Sequence, residues 1–337
     1  MSKLKQTRPI KRAVNWIFCK TIGRRYTGGS SIFSVIKRAK KLNERGVRVV
    51  INNLGEHYRT KEEVERTVRT YLDLLVAMKS SGINGSVSLK PTQFGLCVSH
   101  SSDTERNRYT REQMWRVADK AHNLGITIEI DMEDRETLQF TYETYAMFNR
   151  WSGGGLLLAL QANVELSFTI LRQMISLSTP EVPNGVRLVK GIYEPQDPNL
   201  MTNDEIMARF SGLTEFVMVS SCPEFRVAIG SHHSDILSRF LVLSRAHPKE
   251  FSEVQILSGV MDNIIENVQS EGGNVAVYLP FGENAFAYSF RRMMKNPKFI
   301  FRVLTSIFRR KYAKEISGDI VQENTHETEL SSTPDEN

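Results

Sequence analysis

Between Val47 and Phe281 the sequence alternates, eight times over, a short β-rich run with a longer amphipathic stretch. The runs are VRVVINNL (47–54), SVSLKP (86–91), ITIEIDM (126–132), LLLALQA (156–162), VRLVKGIY (186–193), FRVAIGS (225–231), VQILSG (254–259) and VAVYLPF (275–281). Helical stretches separate them at 61–80, 111–123, 135–150, 165–177, 204–219, 235–246 and 262–271, and a further helix is expected after the last run. Parallel neighbours need a crossover connection, usually a helix, so this alternation points to a parallel sheet. Eight such units over about 250 residues match a (β/α)8 TIM-like barrel. An open doubly wound sheet is the alternative, and it would more naturally use fewer strands. Residues 8–45 read as a helical lead-in stopped by Gly46. The expected organisation is a lead-in at 1–45, a catalytic barrel at 46–312 and an acidic, disordered tail at 313–337.

A barrel of this kind gathers functional groups at the carboxyl ends of its strands. Those ends carry Asn52 and Glu56, Lys90, Asp131 and Glu133, Gln161, Arg187 and Lys190, Ser231 with His232 and His233, Gln255, and Tyr278. The opposite ends carry Gly46, Gly85, Gly125, Gly185 and Gly273. Lys90 and Asp131 occupy corresponding places in neighbouring strands, which reads as an ion pair at the mouth. Lys90 is either a cation for a substrate anion or a Schiff-base amine. Arg187 and Lys190 share a face only if a bulge intervenes, and a cation there could stabilise a reduced, anionic ring. After the last run, Tyr288, Arg291, Arg292 and Lys295 fall on one face of a helix, and the paired arginines suit a carboxylate or phosphate.

Composition narrows the function classes. The net charge is +6, but residues 1–48 hold fourteen Lys/Arg against Glu44 alone, whereas 317–337 hold six acids and no Lys/Arg. The basic end could meet anionic lipid, while its scattered cations form no nucleic-acid motif. Cys19, Cys97 and Cys222 are widely separated with no CxxC pair, which fits a reducing compartment and hence a cytoplasmic location, where the basic end is the candidate for peripheral contact at the inner face of the membrane. No secretory signal or spanning segment is legible. Metal-ligand spacing, GxGxxG and Walker A sequences are all missing from the text of the chain.

In this order, NNLGEHYRT, SLKPTQFGL, IDMED, LALQA, RLVKGIY, GSHHSDI, VQILSGV and YLPFGENAFAYSFRR resemble the monofunctional bacterial proline dehydrogenases, from about Arg24 to Phe308. The resemblance implies a distorted (β/α)8 barrel holding FAD at its carboxyl rim. It also implies oxidation of L-proline to Δ1-pyrroline-5-carboxylate, with electrons passed to a membrane quinone. By similarity, Arg291 and Arg292 grip the substrate carboxylate, with Lys90 as a third cation held by Asp131. Tyr278, Tyr288, Tyr193 and Leu257 would wall the pyrrolidine ring. Gln161 and Arg187 would lie near the flavin N5 region, and Lys190, Gly191, Ser231 and His232 along the rest of the cofactor. The sequence departs from the family pattern at Lys295, where an acid is usual, at Ala285 in the last turn, and over 194–220. Ala285 leaves open a dehydrogenase of a proline analogue such as hydroxyproline, and Lys295 with 194–220 an inactive binding barrel; Lys90 or Lys190 as nucleophile would instead make a Schiff-base aldolase.

Overall fold

The computed structural model describes residues 27–191, 202–259 and 262–282. They fall in a compact unit spanning Met1–Phe286; a second unit, Ala287–Asn337, lies outside the described residues. Eight parallel strands close into a barrel in sequence order: β1 (Arg48–Asn53), β2 (Gly85–Leu89), β3 (Thr127–Ile130), β4 (Leu157–Gln161), β5 (Gly185–Val189), β6 (Arg226–Gly230), β7 (Ser252–Leu257) and β8 (Val275–Phe281). β8 pairs with β1 from Arg48↔Ala276 to Asn53↔Phe281, so the sheet has no edge between them. The described helices are α1 (Ile32–Asn43), α2 (Lys61–Ser80), α3 (Asp103–Asn123), α4 (Leu138–Trp151), α5 (Leu166–Ser176), α6 (Asn203–Val219), α7 (Ser234–Ala246) and α8 (Asp262–Ser270).

The helices start where their caps dictate. Ser31, Thr60 and Thr202 each accept a hydrogen bond from the third helical N–H, and the side chains of Ser34, Glu63 and Glu205 accept one in return from the cap N–H. Such reciprocal caps satisfy donors that have no partner inside the helix. α3 begins at Asp103, eight residues before the expected start at 111, because Ser102 caps it through Glu105 N–H. Its first turns, DTERNRYT, carry no apolar stripe and so leave no periodic signal. The other boundaries shift by smaller amounts: the fifth strand stops at Val189, leaving Lys190 and Gly191 beyond it.

Strand residues alternate between two environments. One set, including Val49, Ile51, Leu89, Ile130, Leu160 and Leu188, is buried in the apolar layer that packs under the helices. The other set faces the barrel axis. In-register partners point the same way, so Arg48, Ser86, Glu129, Arg187, Glu253, Gln255 and Tyr278 share the interior. Branched apolar residues usually fill that space; here it holds a charged column.

Glycine at the amino-terminal ends lets the strands approach. A Cβ on Gly85 would lie 2.3 Å from the Val49 carbonyl oxygen, and one on Gly185 2.5 Å from that of Leu156. Gly85→Ala is therefore expected to cost about 1–3 kcal/mol, the range for overpacking a tight site. Gly212 is exposed within α6 with nothing near its missing Cβ. Gly212→Ala should instead stabilise by about 0.5–1 kcal/mol. Urea denaturation of both variants checks the opposite signs.

Candidate active site at the carboxyl rim

Arg187, on β5, is the centre of the site. Its Nη1 donates to Glu129 Oε2 at 2.9 Å and its Nη2 donates to Asp131 Oδ1. Glu129 lies on β3 and Asp131 immediately follows that strand, two strands away, so the contact crosses the barrel interior and skips β4. Spacing by two along β3 puts Glu129 and Asp131 on one face. The guanidinium carbon also lies 5.3 Å from the Tyr278 ring centroid, and the Tyr278 hydroxyl donates to Asp131 Oδ2 at 2.8 Å. Four groups from β3, β5 and β8 thus fix one another.

Burial opposes ionisation of Asp131, but the Arg187 guanidinium, Lys90 and hydrogen bonds from Ser88 and Tyr278 outweigh it and hold the carboxyl below its usual value. Arg187 is shifted the other way: burial weakens its charge, yet Asp131 and Glu129 more than compensate and raise its pKa. Both directions describe a fully charged pair. Burial dominates at Glu133 and pushes its pKa up, with the Lys90 charge opposing the shift. It accepts from Thr92 N–H at 2.9 Å and from the Thr92 hydroxyl at 2.6 Å.

Below the mouth the column continues. Glu129 Oε1 accepts from Ser86 at 2.7 Å and from Gln255 Nε2 at 3.0 Å. The same amide donates to Glu253 Oε1 at 3.1 Å, and Glu253 Oε2 accepts from Arg48 Nη1 at 2.6 Å. The Gln255 amide thereby separates two carboxylates that would otherwise repel. Burial raises the pKa of Glu253, with Arg48 opposing and Glu129 reinforcing the shift. Glu129, Arg187 and Gln255 come from β3, β5 and β7, the alternate-strand layering of such barrels.

The remaining expected residues fall as follows. Lys90 follows β2 and its Nζ is 3.3 Å from Glu56, while it acts on Asp131 and Glu133 through its charge. Asp131 was expected to take Lys90 as its partner; its direct ion pair is with Arg187. Gln161 ends β4 and donates to the backbone carbonyls of Met132 and Glu133 at 3.0 and 3.3 Å. Lys190 lies past the end of β5 and bonds to Asn203, so no bulge brings it alongside buried Arg187. Gly191 has φ +97, and a Cβ there would sit 2.0 Å from Asn163 Oδ1. Ser231 accepts from His233 N–H at 3.1 Å. His232 Nε2 accepts from Leu257 N–H at 3.0 Å, which fixes it as the unprotonated nitrogen and ties β6 to β7. Gln255, expected at the mouth, lies within the column. Tyr193, Tyr288, Arg291 and Arg292, with Ala285 and Lys295, lie outside the described residues.

Glu129, Glu253, Ser86 and Arg48 were missed by sequence reading. Their signal was the period-two spacing of Glu129, Asp131 and Glu133 and of Glu253 and Gln255; without the register it reads equally well as a solvent-facing edge.

The residues present fit a flavin at this rim. Arg187 Nε is buried and has no hydrogen-bond partner among the described residues, which leaves a donor for a further acceptor. Gln161, Lys190 with Gly191, and Ser231 with His232 follow one another at the ends of β4, β5 and β6. Gly191 in the left-handed region lets backbone approach closely where a side chain would collide.

A closed parallel barrel with a charged, largely buried constellation at its carboxyl rim defines a (β/α)8-barrel enzyme. Residues 35–299 match the family model for proline dehydrogenase, and the chain belongs to that family. Relatives include proline dehydrogenase 1 of Bacillus subtilis, 26% identical over 293 residues, covering 85% of this chain and 91% of the relative. The proline dehydrogenase of Deinococcus radiodurans is 25% identical over 296 residues, covering 87% and 91%. Among solved structures, proline utilization A from Bdellovibrio bacteriovorus, inactivated by N-propargylglycine, superposes with a TM-score of 0.75 at 21% identity. The superposition covers 86% of this chain and 34% of that one, so the chain spans about a third of that protein.

The ion pair carries a stability prediction. An acid whose folded pKa is depressed contributes stability that is complete above its unfolded value, about 3.9, and is lost as pH falls through the lower folded value. Asp131→Asn should therefore cost about 3 kcal/mol by leaving Arg187 partly uncompensated. The difference should stay constant from pH 6 to 8 in urea denaturation; a gap that widens steadily as pH falls across this range would mean that burial raises the Asp131 pKa and keeps it protonated.

Proposed function

We propose that the protein is an FAD-dependent dehydrogenase that oxidises L-proline to Δ1-pyrroline-5-carboxylate and passes the electrons to a membrane quinone. The observation that carries the reading is Arg187: a guanidinium held at the mouth between Glu129 and Asp131, with Nε free of any described partner. Family membership supplies the reaction class and argues against a Schiff-base aldolase.

Arg187 and Gln161 would hold the flavin near its reacting edge, with Lys190, Gly191, Ser231 and His232 along the rest. FAD, when bound, supplies the acceptor for the hydride that leaves C5 of proline. The chain's own work is orientation and electrostatics. A fixed cation needs no reorganisation to meet charge that develops beside it. Asp131 and Glu129 provide that fixity. Tyr278 offers its ring as a wall for the apolar face of the substrate, its hydroxyl anchored on Asp131, with Leu257, Tyr193 and Tyr288 completing the wall. Lys90, Arg291 and Arg292 are the cations for the proline carboxylate. The substrate amine reacts as the neutral form, so its proton leaves before or with the hydride.

Replacing Arg291 or Arg292 by Met removes a charge-assisted hydrogen bond of about 1.5–3 kcal/mol, or roughly 10–100-fold in KM for proline. Flavin content should stay unchanged; loss of flavin instead would reassign these arginines to the cofactor.

Quinone reduction requires a meeting with the membrane. Among the described residues no helix is long and apolar enough to cross one, and the basic residues of 1–48 are the means of a peripheral contact. Flotation with anionic vesicles should exceed that with zwitterionic vesicles and fall when residues 1–25 are deleted. Equal flotation in all three cases would remove the membrane contact from the account.

A further inference from the structure

The opposite end of the barrel carries a cavity of about 230 Å³ that the reaction does not use. It lies where β3 and β4 are joined by only two register pairs, Glu129↔Leu157 and Ile130↔Leu158. Before these pairs the connections turn through Gly125 and through Gly153, Gly154 and Gly155, all with positive φ. Ile126, Ile128, Phe148, Leu156 and Trp151 give the cavity apolar walls, and Arg226, the first residue of β6, provides its cation.

Arg226 is an unusual occupant of such a place. Its guanidinium lies over the Phe251 ring at 4.3 Å but makes no hydrogen bond or ion pair among the described residues. Its Nε is buried. Burial first, and repulsion from Arg48 second, lower its pKa, while Glu253 and Glu129 act to raise it. A buried donor without a partner keeps its full desolvation penalty, larger when charged, and an anion in the cavity would recover that cost. None of the residues lining the cavity is acidic.

We propose that this cavity binds a small monocarboxylate with a flat apolar body, its carboxylate on the Arg226 guanidinium and its ring between the Trp151 and Ile126 walls. The planar fork of arginine matches a carboxylate with two parallel hydrogen bonds. Size permits it, since a dry cavity of about 150 Å³ takes benzene. One cation, with Glu129 and Glu253 acting on it, favours a single negative charge over a phosphate dianion. A zwitterionic amino acid is disfavoured, because its ammonium would meet no carboxylate. Trp151, 38% exposed and 4.2 Å from the Trp115 ring, closes the outer wall.

Benzoate is the probe, titrated into the full-length, flavin-loaded protein by calorimetry and tryptophan fluorescence, with and without saturating L-proline under anaerobic conditions. Binding with a Kd on the order of 1 mM or tighter is expected, unaffected by L-proline, and about tenfold weaker for uncharged benzamide. Arg226→Gln should lower benzoate affinity about tenfold or more, and Arg226→Lys, which keeps the charge balance of the barrel, by several-fold through loss of the fork. If Arg226→Gln fails to fold, Arg226→Lys and the benzamide comparison decide. Equal affinity for benzamide, indifference to Arg226→Lys, displacement by L-proline, or no benzoate binding would each overturn the proposal.

Discussion

A guanidinium between two buried carboxylates is the interaction on which the site depends. Removing Arg187, Glu129 and Asp131 from water is costly, and breaking such a pair leaves an uncompensated buried charge worth about 3–5 kcal/mol. The arrangement survives because each carboxylate is answered: Asp131 by Arg187 and Tyr278, Glu129 by Arg187, Ser86 and Gln255, Glu253 by Gln255 and Arg48. The barrel thus sets a fixed field among the apolar residues that share its interior, Val50, Leu157 and Ala228. Its outer layer, with Val49, Ile51, Leu89 and Leu188 under the helices, adds hydrophobic stabilisation on the other face.

Division of labour between the two strand faces follows from the period of two. One set of positions is ordinary apolar core under the helices; the other faces the axis and carries the charged column among smaller apolar residues. The column links the mouth to the floor, so the orientation of Arg187 is tied to residues as distant in sequence as Arg48 and Glu253. The two ends nevertheless differ in chemistry. At the mouth a cation is held by acids; at the floor Arg226 has none in contact among the described residues.

Fold and family were legible because the outward strand positions and the strand-end motifs both carry strong local signals. The eight runs announce themselves through their β-branched residues, and Lys90, Asp131, Arg187 and Tyr278 stand out as polar groups in apolar company. What was not legible depends on register and closure. Nothing in SVSLKP and IEIDMED reveals that Asp131 reaches past the next strand to Arg187, because that contact exists only once the sheet has curled into a barrel. Glu129 and Glu253 look like solvent-facing alternates until the interior is known to be where they point. The early start of α3 was hidden for another reason, since its first turns are held by a serine cap and not by an apolar stripe.

The central claim is that this charged rim holds a flavin and delivers electrons from proline to it. The visible absorption spectrum of the purified full-length protein, recorded under anaerobic conditions before and after L-proline is added, tests it most directly. Flavin bands in the resting protein, bleached by L-proline, are the expected result. A protein that takes up no flavin even after reconstitution, or whose flavin bands L-proline leaves unchanged, would contradict it.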